Sequence, residues 1–144
     1  QAREYHYHLC VDSTCPIFMK DFSWFVPGGL DITAMEAGAQ YLLGEHDFKS
    51  FCMAASAEGK PTHRNVREIS FHPETVMGEN LMSIKVVGNA FLHSMVRTIV
   101  GTLVMVGKGQ RDADWVGEVL EACDRRVAGE NAPAQGLVFW RVIY

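Results

Sequence analysis

The chain has 144 residues, 48% of them hydrophobic and 21% charged, and carries a formal net charge of −4. At that size and composition it needs neither disulfides nor metals to build a core, and one soluble globular domain is expected. The acidic balance argues against a nucleic-acid partner, which usually meets a basic surface, although a local basic groove is compatible with it.

Taken in chain order, the hydrophobic period alternates between two and 3.6. From Glu4 to Val11 the residues Tyr5, Tyr7, Leu9 and Val11 alternate with His6, His8 and Cys10, which predicts a strand. Asp31 is placed to cap a helix that turns Ile32, Met35, Ala39, Leu42 and Leu43 inward and ends at Gly44. Strands are predicted from Arg67 to His72 and from Leu81 to Val87, joined around Gly78-Glu79-Asn80. A helix from Ala90 to Gly107 follows, with Asn89 as its N-cap. Another starts at Asp112 or Asp114 with Trp115, Val116, Val119, Leu120 and Cys123 inward, and Leu137 to Tyr144 is a last strand. The order β-α-β-β-α-(α)-β is that of an α+β fold of split βαβ, ferredoxin-like type: an antiparallel four-stranded sheet with helices on one face. The segments 12–30, with Pro16, Pro27, Gly28 and Gly29, and 54–65, with Lys60, His63 and Arg64, are loops by composition.

The helix after Asn89 is apolar except for one arginine near its middle, Arg97. A membrane span is rejected, because that charge at the centre would cost about 2.5 to 3.5 kcal/mol on insertion scales. In a buried helix the guanidinium cannot escape by deprotonating and needs an anion. Ser94, Arg97, Thr98 and Gly101 share one polar or small stripe, where chemistry or a second surface would meet the helix.

Other constellations are sparse. No signal peptide or lipidation motif is read at the N-terminus. Cys10, Cys15, Cys52 and Cys123 lack CxxC spacing and read as free thiols in a reducing cytosol. His6 and His8 point to one face of a strand, but without a third ligand an exposed or core-satisfied pair is the better reading than a metal site. Glu45-His46-Asp47 follows a helix end and reads as capping and loop hydrogen bonding. Hydrolase, zinc-protease, P-loop and dinucleotide motifs do not occur.

Five ordered segments together resemble a known family. They are Ala2-Arg3-Glu4-Tyr5-His6-Tyr7; Leu43-Gly44-Glu45-His46-Asp47-Phe48-Lys49-Ser50-Phe51; Arg67-Glu68-Ile69; Asn89-Ala90-Phe91-Leu92-His93-Ser94-Met95-Val96-Arg97 with its continuation to Gly107; and Ala132-Pro133-Ala134-Gln135-Gly136-Leu137. They are similar to motifs in the C-terminal domain of the tRNA pseudouridine synthase A (TruA) family, and the resemblance covers nearly the whole chain. It implies a cytoplasmic isomerase that converts uridine to pseudouridine in the tRNA anticodon stem-loop without metal or organic cofactor, as a homodimer. It also implies Tyr5 lying against the flipped base, Arg97 pairing with an aspartate that serves as nucleophile or charge stabiliser, and Leu137 walling the uracil pocket.

His93 is a further substrate-binding candidate, and Lys60, His63, Arg64 and the run from Lys108 to Arg111 are candidates for contacts to the RNA backbone, with Arg125 and Arg126 behind them. The family's G-R-T-D-x-G motif, which carries the aspartate, belongs to the N-terminal half and is not in this sequence. The resemblance therefore implies a fragment, inactive by itself, in which the Arg97 head is exposed, bound to a small anion or paired with a substitute carboxylate. A non-catalytic RNA-binding or assembly domain, and a small-ligand domain of the same topology, are the alternatives.

Overall fold

Alternation of apolar and polar residues becomes β1, Ala2–Cys10, in the computed structural model, which describes residues 1–53, 55 and 58–144. Tyr7 and Leu9 are fully buried in the core, while Glu4, His6 and His8 lie on the opposite face of the strand. The other elements are β2 (Trp24–Phe25), α1 (Ile32–Gln40), β3 (Gly44–Asp47), β4 (His63–Val76), β5 (Glu79–Gly88), α2 (Met95–Gly107), α3 (Asp114–Ala122) and β6 (Leu137–Ile143).

The four long strands run β6-β1-β5-β4, with every neighbouring pair antiparallel. β5 lies between β1 and β4, and β1 lies between β5 and β6, so both βαβ units are split as expected. Two short strands add to that skeleton: β3 extends the sheet beside β4, and β2 pairs in parallel with Leu9 and Cys10, beyond the stretch that β6 covers. Neither was signalled, because two to four residues are too few to show a period.

The helices pack on one face. Ile99 and Leu103 of α2 are fully buried in one cluster with Met35 of α1, Val116 of α3 and Ile84 of β5. Each such side chain contributes about 1.5–3 kcal/mol by leaving water. Close approach between helices is possible because Gly38 of α1 faces Val116: a Cβ there would stand 2.9 Å from that side chain. Asp31 caps α1 as expected, its carboxylate accepting from the Ala34 amide at 3.0 Å.

The Arg97 helix starts later than its hydrophobic run implies. Its first helical residue is Met95, and Ser94 before it has a left-handed backbone with φ 63°. Asn89 does not cap it. The Asn89 side-chain oxygen instead accepts from the amides of Asn65 and Ala90, tying β4 to the segment that leaves β5.

The segment 12–30 is anchored rather than formless. The Glu79 carboxylate accepts from the amides of Ile17, Phe18 and Met19 at 2.6, 3.2 and 2.8 Å. Of the segment 54–65, residues 54, 56 and 57 fall outside the described residues, and 63–65 already belong to β4. No helix among the described residues is long and apolar enough to cross a membrane.

Candidate active site

A cleft of about 280 Å³ opens where β1 passes the segment entering α2, lined by Tyr5, Phe91, His93, Arg97 and Leu137 among others. The Tyr5 ring is held on two sides, edge-on by Phe91 at 5.1 Å between centroids and at a tilt by Phe139 at 5.2 Å. Aromatic pairs at such distances contribute about 0.5–1.5 kcal/mol beyond area burial, so they hold the ring plane against rotation.

An irregularity in β6 creates this arrangement. Glu4 pairs with Arg141 and Tyr5 with Phe139, so Trp140 is an extra residue opposite one step of β1. A bulge of this kind re-aims side chains. It turns Phe139 toward Tyr5 and Trp140 to the other face, where its ring stacks on His6 at 4.2 Å. Glu4, 2% exposed, locks the bulge from behind: its carboxylate meets His6 Nε2 at 2.6 Å and Arg141 Nε at 3.0 Å. Burial acts to raise the Glu4 pKa, but the hydrogen bonds from His6 and Arg141, with the Lys85 charge, bring it below the usual glutamate value.

Arg97 reaches the cleft from the first turn of α2. Its Nε donates to the Ala132 carbonyl at 2.7 Å, and its own carbonyl accepts from the Ala132 amide at 3.0 Å. No carboxylate forms an ion pair with it among the described residues, and its two terminal nitrogens make no hydrogen bond to them. A neutral carbonyl, not a substitute carboxylate, thus orients the Arg97 head among the described residues. Its terminal nitrogens have the flat, forked geometry that suits bidentate hydrogen bonding to a carboxylate or phosphate. The left-handed Ser94 beside it is a strained conformation for a residue with a side chain, of the kind found at functional sites.

Four of the sequence-selected residues, Tyr5, His93, Arg97 and Leu137, thus share one cleft. The other three are elsewhere. Lys108 follows the far end of α2, over the Trp24 ring at 5.9 Å. Arg64 lies on β4, its Nη1 donating to the His63 carbonyl at 2.7 Å, and Lys60 is exposed just before that strand. Sequence reasoning passed over Phe139, Tyr7 and Ala132. The strand period marks Phe139 and Tyr7 only as members of β6 and β1, and a backbone carbonyl leaves no residue-type signal.

Glu45-His46-Asp47 serves structure, as expected. His46 Nε2 bonds the Leu43 carbonyl at 2.7 Å, and Asp47 accepts from Thr62 and from the Lys49 amide. The four cysteines are unpaired, and no group of three or more His, Cys, Asp or Glu among the described residues is placed to hold a metal ion. A larger cleft of about 620 Å³, lined by Lys49, Glu58, Asp124, Arg125 and Arg126 among others, is a separate feature in which Asp124 pairs with Arg126 at 2.8 Å.

The family model described as tRNA pseudouridine synthase matches residues 39–144. The chain is similar over its whole length to tRNA pseudouridine synthase A of Brevibacillus brevis, at 43% identity, and to the proteins of that name from a Geobacillus species, at 37%, and Xanthomonas euvesicatoria, at 41%. It spans 57%, 56% and 54% of those three proteins, about half the length of the curated relatives it matches.

Proposed function

The chain belongs to the tRNA pseudouridine synthase family, and from that premise we propose that it is the C-terminal domain of an enzyme that isomerises uridine to pseudouridine in the tRNA anticodon stem-loop. The reaction breaks the N1–C1′ glycosidic bond, turns the base and forms a C5–C1′ bond. The hydrogen on C5 leaves to solvent and N1 gains a proton, so the balance needs no oxidant or reductant. Tyr5 lies against the flipped base, and Leu137 supplies an apolar wall. Arg97 holds the aspartate of the N-terminal half ionised and oriented through its two terminal nitrogens, and the aspartate acts as nucleophile or charge stabiliser.

One observation carries this reading: Arg97, Tyr5 and Leu137, from three separate motifs, line the same cleft, with the Arg97 fork not engaged by the described residues. Lys60, Arg64 and Lys108 are proposed as contacts to the RNA backbone, His93 as a further group at the cleft mouth, and the full protein as a cytoplasmic homodimer.

The test is release of tritium from C5-labelled uridine in an anticodon stem-loop by the full-length protein. Arg97→Ala should slow release at least about 30-fold, the lower end of what removing one partner of a desolvated charge pair costs. The reading fails if the full-length protein releases no label, or if Arg97→Ala leaves the rate unchanged.

A further inference from the structure

The stretch from Gly129 to Pro133 has no regular secondary structure, yet successive residues are fixed to what lies beneath. The Gly129 amide donates to Thr102 Oγ1 at 3.1 Å, and the Glu130 carbonyl lies against Gly101, where a Cβ would stand 1.7 Å from it. Asn131 Oδ1 accepts from Thr98 Oγ1 at 2.6 Å, and Ala132 exchanges two hydrogen bonds with Arg97. The Pro133 carbonyl accepts from the Tyr7 hydroxyl at 2.5 Å. These residues form a strap that descends α2 turn by turn and delivers the chain to Leu137.

The last tie differs from the rest, because it comes from the sheet rather than from α2. Tyr7 is 0% exposed and packs its ring against Gly136, where a Cβ would stand 2.6 Å from it. It cannot touch anything bound in the cleft. Its hydroxyl holds the carbonyl next along the chain from the one that receives Arg97 Nε. Burial raises the hydroxyl's pKa well above the usual tyrosine value, with the Arg97 charge opposing, so it is a permanent donor at any working pH.

A guanidinium is planar, so fixing Nε fixes the plane in which both terminal nitrogens lie. We propose that Tyr7 is a positioning residue for Arg97: by holding the Pro133 carbonyl it sets the Ala132 carbonyl, which aims the fork at the carboxylate it pairs with. This rests on the reading of Arg97 given above.

The experiment is a double-mutant cycle in the full-length enzyme, with single-turnover rates and KM for the stem-loop. Tyr7→Phe keeps the ring against Gly136 and removes the hydroxyl alone. It should lower the rate by about 10-fold, and by no more than the 10²-fold that a misplacement of about 1 Å costs, with KM within two-fold. In an Arg97→Lys background, which has no Nε–H to aim, the same change should have an effect under two-fold. Equal loss in both backgrounds would mean a general structural role and would overturn the proposal, as would no loss in the wild-type background. An Arg97→Lys enzyme with full activity would instead overturn the underlying reading of Arg97. If that variant is too slow to assay, proton exchange at Arg97 Nε decides: it should quicken in Tyr7→Phe, and an unchanged rate refutes the proposal.

Discussion

Replacing Gly101 by alanine reverses an ordinary expectation and so tests the strap directly. In the interior of a helix this change normally stabilises, by about 0.5–1 kcal/mol, because glycine loses the most backbone freedom on folding. Here the new Cβ would stand 1.7 Å from the Glu130 carbonyl oxygen and 2.9 Å from its carbon. Both are backbone atoms, which cannot swing aside as a side-chain tip can. Reaching ordinary contact at about 3.5 Å requires the strap to retreat by roughly 2 Å.

Hydrogen bonds of 3.1, 2.6, 3.0 and 2.7 Å at Gly129, Asn131 and Ala132 do not survive such a shift. Overpacking costs about 1–3 kcal/mol, and each lost bond about 0.5–1.5 kcal/mol net, more where a charge is involved. Allowing for partial relaxation and replacement by water, Gly101→Ala should destabilise by about 3–5 kcal/mol. That is a large share of the stability of a typical domain. Urea unfolding of the full-length protein measures it. A loss below about 1 kcal/mol, or a gain, would refute the idea that the strap is pinned to α2.

Two further outcomes follow from the carboxylates. Glu4 has a folded pKa below its unfolded value of 4.5, so its contribution is present above that value and disappears as pH falls through the folded one; the excess of wild type over Glu4→Gln in urea midpoint should therefore shrink as pH falls below about 4.5, and an advantage that persists undiminished to pH 3 would contradict this. Glu79→Ala should remove hydrogen-exchange protection from the amides of Ile17, Phe18 and Met19 while leaving that of Tyr7 in β1 unchanged, and retained protection at the three amides would show that the carboxylate is not their anchor.

The fold was readable where the physical cause acts along the chain. The period-two run through Tyr5, Tyr7 and Leu9 and the cap at Asp31 each act within a few residues, and both start the elements they indicated, although α1 ends at Gln40 and Gly44, expected as its stop, opens β3 instead. The start of α2 was not readable, because apolar residues continue through Phe91 and Leu92 although the chain has not yet turned. Phe91 and Leu92 pack against the core from a non-helical backbone, and the turn falls at Ser94, a residue type with no strong left-handed preference. The bulge at Trp140 was equally silent: one extra residue leaves the composition of β6 unchanged, and its consequence, the pairing of Phe139 with Tyr5, appears only across strands.

The stripe of Ser94, Arg97, Thr98 and Gly101 was readable as a place where something must meet α2, but it has two occupants rather than one. Ser94 and Arg97 face the cleft, whereas Thr98 and Gly101 face the strap, through Asn131 and Glu130. Arg97 stands at the division and belongs to both, with Nε on the strap and its terminal nitrogens beyond it. A lysine at 97 would keep the charge but lose that division, since a single ammonium cannot be fixed by one face of itself and present a flat fork with the other. The position therefore selects for a guanidinium by geometry as well as by charge, and the neutral carbonyl of Ala132 is suited to hold it because it orients the group without neutralising it.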